Sequence, residues 1–471
     1  MILRMLFALC VIPVLAYSAD DFDRYFTDET MRVDYFHSGV KGEERFSLDE
    51  VLVDGPWSGS RVNMIDTLSL GEFQFRISDL ATGRVIFSRG YSTMFNEWQT
   101  TDEAAAGFRR TMSESLRFPY PKEAVQVTIA RRDGNMVFHE LFSMKIDPND
   151  PTQVRKKQRS GYPSYDLMAN GDPQKKVDIV ILGDGYAEDD MEKYRTDAKR
   201  YNDALFATEP FRSRRADFNV RVVEVVSEES GIDIPDGDTW KNNPLGTSYN
   251  TFGSARYILT WDNKALRNAA ASVPYDFICI LINDTRYGGG GIYNLYATTY
   301  TGEQDASQSW QMDYVYVHEF GHSFGGLGDE YYTSSTAYND FYPPGVEPWE
   351  PNVTALASPG GLKWASLMTE GIQIPTPWEK AEYDSLQRLR GQLDRLAADY
   401  YQKREPLQKA GSDLLRNSPM AGKVGAFEGA GYASENLYRP SVDCRMFSLS
   451  LEPFDPVCSA ALLRVIDFYS R

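Results

Sequence analysis

The chain has 471 residues, 42% of them apolar and 25% charged, and a formal net charge of −18. This is the profile of a folded protein of two or three domains with a sizeable core, not of a disordered or fibrous chain. The acidic excess argues against nucleic acid or an anionic membrane surface as a partner and suits a surface that keeps an exported protein soluble.

At the N-terminus a basic Arg4 precedes an apolar run from Leu6 to Ala16, and Ala16 and Ser18 are small residues at cleavage-site spacing. Residues 1–19 read as a signal peptide, too short for a permanent membrane span. The mature protein is therefore expected outside the cytoplasm: secreted, periplasmic or on the cell surface. Cys10 within the run leaves a lipid-anchored form open. Export gives the other cysteines a context. Cys279 lies in an apolar stretch and reads as a buried thiol, while Cys444 and Cys458 read as one disulfide.

Residues 20–150 alternate apolar and polar residues in short segments: Arg61–Ile65, Glu72–Ile77, Val85–Ser88, Val125–Ala130 and Met136–Ile146. Arg132-Asp133-Gly134-Asn135 is a hairpin turn signal, and a helix is predicted only around Glu103–Ser113. The pattern predicts a β-sandwich-like module in which His37 and His139 are ordinary polar residues. Residues 151–176 are rich in Pro, Asp, Lys, Gly and Ser and read as a linker.

From Val177 the texture changes. Strands at Val177–Leu182, Asn219–Val226 and Tyr275–Asn283 alternate with helices at Glu188–Leu205 and Asn263–Ala271, which predicts a parallel sheet with helical crossovers. Gly288–Gly291 read as a break before an edge strand, Ile292–Tyr300. A helix follows from about Gln311. Residues 342–359 read as loop, 377–410 as one long helix with a seam of Leu386, Leu389, Leu393, Leu396 and Tyr400, and Val457–Tyr469 as a last amphipathic helix. The seam is expected to pack on its own domain. Carboxylates in the Asp233–Asp238 loop could take Ca2+, though a solvated loop is the favoured reading.

The chemistry concentrates in His318-Glu319-Phe320-Gly321-His322, which holds two of only four histidines. On a helix, residues i and i+4 share a face, so both imidazoles can reach one Zn2+ with Glu319 beside them as general base. Gly325 and Gly326 then stop the helix. Asp329 and Glu330 bring back carboxylates that can complete the ligand shell.

This stretch resembles the bacterial IgA-peptidase family of zinc metallopeptidases, whose fold is metzincin-like. The resemblance rests on His318–Tyr332, on the glycine-rich Tyr287–Asn294, and on Gly425–Met446 followed by Asp455-Pro456-Val457-Cys458. It covers roughly 177–471 and, more weakly, the N-terminal module. It implies an α+β multi-domain chain: the β-sandwich-like module, then a metzincin-like α/β zinc-peptidase domain over 177–471 with a helical insertion near 377–415. It also implies a methionine turn at Met446 and a closing disulfide between Cys444 and Cys458. Gly328 stands where the usual signature has a third His, so a carboxylate must serve. Asp329 is the expected third ligand, with Glu330 as the alternative.

The leading expectation is a secreted zinc endopeptidase with a protein or peptide substrate laid along the edge strand, hydrolysed by a metal-activated water with Glu319 as base. Tyr331 and Tyr332 could donate a hydrogen bond in the transition state, although packing is the simpler role. Two alternatives stand beside it: a zinc amidohydrolase of cell-wall peptides, and a surface-ligand-binding protein with a structural metal domain.

Overall fold

Period-two alternation folds the N-terminal part into sheets. The computed structural model describes residues 19–156, 161–302, 309–333, 341–358, 361–393, 399–450 and 452–471; residues 1–18 of the expected signal peptide, with Cys10, lie outside the described residues. Helix α1 (Ala19–Tyr25) leads into β1 (Phe26–Val40), β2 (Glu43–Pro56), β3 (Phe73–Asp79) and β4 (Val85–Tyr91). Short helices α2 (Met94–Trp98) and α3 (Asp102–Ala105) precede β5 (Arg110–Pro121), β6 (Val125–Arg132), β7 (Phe138–Ile146) and β8 (Val154–Arg155). Two four-stranded sheets, ordered β5-β1-β2-β8 and β4-β3-β6-β7, bury Val33, Tyr35 and Leu116 with Phe73, Val127 and Ile129 in one core. The β6–β7 hairpin turns where the sequence predicts: Asp133 Oδ1 accepts the amides of Asn135 and Val137 at 2.8 and 2.9 Å.

Two local expectations fail: Arg61–Ile65 is loop, and Glu103–Ser113 is divided between α3 and β5. The long strand β1, moreover, does not alternate buried with exposed residues, and this has a physical cause. Fully buried Arg32 sits on β1 and donates to Asp54 at 2.8 Å and to Asn268, in the second half of the chain, at 2.9 Å. This part of the strand is covered on both faces, so its polar residues are paired inward instead of solvated.

The second half contains β9 (Ser164–Met168), β10 (Val177–Asp184), α4 (Met191–Ala207), β11 (Phe218–Val223), β12 (Thr247–Ser248), β13 (Leu259–Thr260), α5 (Asn263–Ala270), β14 (Phe277–Ile282), β15 (Gly289–Ile292), β16 (Tyr296–Tyr300) and α6 (Ser309–Gly325). Six strands form one sheet in the order β15-β16-β14-β10-β11-β9. Its four inner strands are parallel, and β9 and β15 are antiparallel edges. All eight residues of β10 are buried, as a strand covered on both faces requires. The expected linker 151–176 is not a free spacer: it gives β8 to the first module and β9 to this sheet.

The edge strand also differs from expectation. Ile292–Tyr300 is interrupted by a turn, and its second half, β16, lies between β14 and β15. The glycine stretch itself is the edge. A Cβ on Gly289 would lie 3.0 Å from Glu319 Cγ, and one on Gly291 would lie 2.9 Å from His322 Cβ and press into the Glu319 carbonyl. The glycines let the strand lie directly on α6.

The chain ends in α7 (Lys380–Gly391), α8 (Tyr400–Arg416), β17 (Phe427–Ala430), β18 (Ala433–Arg439) and α9 (Pro456–Tyr469). The single helix expected over 377–410 is thus two helices packed on each other. The leucine seam is not a buried stripe: Leu389 is 48% exposed, and Leu396 lies outside the described residues. Among the described residues no helix is long and apolar enough to cross a membrane.

Candidate active site

Helix α6 is built from apolar residues on most of its circumference; Val315, Tyr316, Phe320 and Phe324 are buried in the core beneath the sheet. His318 and His322 share its remaining face, with their Nε2 atoms 3.2 Å apart. Gly326, at φ +60°, ends the helix in a left-handed turn whose amide donates to the His322 carbonyl at 3.0 Å. This turn brings the chain back over the histidines.

Asp329 then closes a triangle. Its Oδ1 lies 3.0 Å from His318 Nε2 and 3.3 Å from His322 Nε2. Ligands held about 2.0–2.1 Å from a tetrahedral ion are separated by roughly 3.3–3.4 Å, so the three atoms have the spacing such an ion needs. Both imidazoles are oriented from behind. His318 Nδ1 donates to the Arg445 carbonyl at 3.1 Å, and His322 Nδ1 to the Leu327 carbonyl at 2.5 Å. A carbonyl can only accept, so each Nδ1 carries a proton and each Nε2 is turned toward Asp329. Asp329 Oδ2 accepts the Tyr432 hydroxyl at 2.5 Å, while Oδ1 is buried and faces the two imidazoles.

The charges respond to this crowding. Burial disfavours a charged His322, but Asp329 outweighs it and the imidazole is pushed up to about 9. Burial also opposes ionisation of Asp329, yet the two imidazoles hold it well below the usual carboxylate range. Without a cation, a proton on His322 balances the carboxylate. A dication between the three atoms would replace that proton, so the residues fit a metal.

Glu330 does not join the triangle. Successive residues of an extended segment point to opposite sides. The Glu330 carboxylate lies in the interior, with Oε1 2.9 Å from Asn352 Nδ2 and 3.2 Å from Cys458 Sγ. Gly328 occupies a site where a Cβ would meet the Tyr342 hydroxyl at 2.9 Å and Val353 at 3.0 Å, which rules out a His there without repacking. Met446 is fully buried under the helix. A Cβ on Gly321 would approach its sulfur to 3.2 Å, and its carbonyl accepts the Glu330 amide at 2.9 Å. The segment that presents Asp329 is therefore fastened to the backbone at Met446. The expected disulfide is not formed: the sulfurs of Cys444 and Cys458 are 3.8 Å apart, nearly twice the covalent distance.

Glu319 lines the same cleft as His318 and His322. Burial raises its carboxyl above the ordinary 4.5, against the pull of both histidines. The cleft encloses about 890 Å³ between the N-terminal module, the edge strand and helices α7 and α8. Sequence reasoning missed Arg256 and Tyr432. Arg256 donates to the Tyr331 hydroxyl at 3.4 Å, and the Tyr331 ring stacks over His318 at 6.3 Å. Tyr331 thus lies at the site, whereas Tyr332 turns away to Asp384 at 2.6 Å. No motif marks Arg256, because it reaches the site from a loop more than sixty positions earlier. Of the remaining candidates, His37 is buried between Glu44 and Glu114, His139 pairs with Asp133, and Asp236, in the loop read as solvated in preference to calcium-binding, is held by Arg286 at 2.6 Å.

Residues 165–466 match the family described as IgA Peptidase M64, and residues 21–143 match the one described as Peptidase M64 N-terminus. No curated protein matches the chain.

Proposed function

The chain belongs to the IgA Peptidase M64 family and is a metallopeptidase that hydrolyses peptide bonds, and from that premise we propose that it is a secreted, zinc-dependent endopeptidase with Glu319 as its general base. The observation that carries the reading is the meeting of His318 Nε2, His322 Nε2 and Asp329 Oδ1 at 3.0–3.3 Å beside Glu319 in an open cleft. His318, His322 and Asp329 would hold the ion; Glu330 would not. When bound, zinc lowers the pKa of a water toward 7 and polarises the scissile carbonyl.

The other steps belong to the chain's own residues. Glu319 takes the proton of the attacking water and passes it to the leaving amine. Its burial suits it to hold that proton in between. Arg256 and Tyr331 line the cleft beside His318 and would orient the scissile carbonyl. The Gly289 amide and carbonyl are already bonded to Arg256 and Ile258 at 3.1 and 3.2 Å. An extended substrate would therefore pair with the edge at Gly291, where the strand has no side chain to obstruct it. The parallel sheet, the antiparallel edge lying on α6 and the methionine turn at Met446 support a metzincin-like catalytic half. The apolar run at Leu6–Ala16 supports export, as secreted, periplasmic or surface-held protein.

The test is Glu319→Gln assayed on casein and on a peptide library by mass spectrometry. Turnover should fall by on the order of 10²–10⁴ or more with zinc content unchanged. Undiminished turnover would remove Glu319 from the mechanism.

A further inference from the structure

Behind Asp329, on the side away from the cleft, four more potential ligands meet. Cys444, Cys458 and Glu330 are 0% exposed and Asp455 is 6% exposed, and one ligand atom from each lies within 4.8 Å of the other three. We propose that Glu330, Cys444, Asp455 and Cys458 form a second, closed metal centre that takes a zinc-class divalent ion.

The spacing supports this. Two sulfurs each about 2.3 Å from a tetrahedral ion stand roughly 3.8 Å apart. The observed Cys444–Cys458 distance is 3.8 Å, with Cys458 Sγ 3.2 Å from Glu330 Oε1. The donor set of two thiols and two carboxylates suits zinc better than calcium or magnesium, which take oxygen alone. One oxygen of each carboxylate, Glu330 Oε2 and Asp455 Oδ2, is buried without a hydrogen bond. Buried polar groups of this kind are normally paired or bound to a metal.

The surroundings supply N–H groups to the cluster. The amides of Met446 and Asp455 approach Cys444 Sγ at 3.5 and 3.4 Å. The amides of Val457 and Cys458, at the start of α9, donate to Asp455 Oδ1 at 2.7 and 2.8 Å, and Asn352 donates to Glu330 Oε1 at 2.9 Å. Two thiolates and two carboxylates exceed the charge of one dication, and these donors offset the excess. Loading the site sends the two thiol protons to solvent and changes no oxidation state. The residues come from the segment after the motif helix, the methionine turn and the last helix, so one ion would tie all three together. Every position is filled by protein, which makes the centre structural instead of catalytic.

The experiment is metal counting on the full chain, purified without chelators or reductant. Two zinc equivalents are expected for the native protein, one for His322→Ala, one for Cys458→Ser and none for the double variant. Asp455→Cys, which supplies another good ligand, should retain both. Because a cysteine variant can fail to fold, the His322→Ala chain is also titrated with p-hydroxymercuribenzoate: its remaining zinc should leave in step with thiol modification. A single equivalent in the native chain would overturn the proposal, as would a Cys444–Cys458 disulfide in a non-reduced digest. If that single equivalent disappears in His322→Ala, the catalytic assignment stands without the second centre.

Discussion

His318 donates its Nδ1 proton to the carbonyl of Arg445, 3.1 Å away across 127 positions of sequence. This bond fixes the tautomer and aims Nε2 at Asp329. It also makes the backbone next to Met446 a working part of the site, whatever the methionine side chain does. Arg445 itself cannot be replaced to test the bond, since the acceptor is its peptide group, but the other supports can.

Tyr432→Phe removes the hydroxyl that positions Asp329 Oδ2 and leaves the edge-to-face contact with the Tyr331 ring in place. Zinc affinity should fall 10–100-fold with little change in fold. Asp329→Ala should empty the histidine pair and end hydrolysis. Chelator competition read by inductively coupled plasma mass spectrometry orders the two; equal affinities for native chain and Tyr432→Phe would deny the hydroxyl its role.

His322 is raised from its ordinary 6.5 to about 9 in the metal-free fold. The sign follows from linkage. A raised histidine lends stability that is complete below 6.5 and is lost as pH climbs through about 9. The metal-free protein should therefore unfold at lower urea at pH 9.5 than at pH 6, if the rest of the profile is corrected with His322→Gln. The same proton competes with zinc, so affinity should rise about tenfold per pH unit over this interval. A flat affinity between pH 6.5 and 8.5 would contradict the assignment.

Gly291→Ala inserts a methyl group between β15 and α6, against the Glu319 carbonyl and His322 Cβ. A cost of about 1–3 kcal/mol is expected, together with a fall in kcat from displaced Glu319. Gly391→Ala is the contrasting case. It lies in α7 with nothing within 4 Å of the added carbon and should stabilise by about 0.5–1 kcal/mol. Urea midpoints of both variants decide the matter.

The triangle of His318, His322 and Asp329 was partly legible in the sequence because His-x-x-x-His needs only helical periodicity to be read. Asp329 was the expected third ligand, but the residue pattern alone did not exclude Glu330, since neighbouring carboxylates differ only in which side of an extended segment they occupy. The sheet of the second half was legible from its unbroken apolar runs, whereas β1 buries Arg32 and Asp34, which alternation assigns to solvent, and carries the polar His37 on its core face with Val33 and Tyr35. Gly288–Gly291 read as a break because glycine disfavours strands in general. Here the absence of side chains is what lets a strand form against the helix. The leucines of 377–410 gave a periodic signal that two shorter helices also satisfy.

The Ser92 amide donates to the Tyr293 carbonyl at 3.0 Å, and Asn294 Nδ2 reaches the Gly90 carbonyl at 2.9 Å. The first module thus braces the turn from which the edge strand hangs, and Ser92, Asn96 and Glu97 form part of the cleft wall. The two family matches divide the chain between residues 143 and 165, but the cleft takes its walls from both parts. An engineer who grafted the peptidase half onto another carrier would discard one jaw of the vice along with the handle.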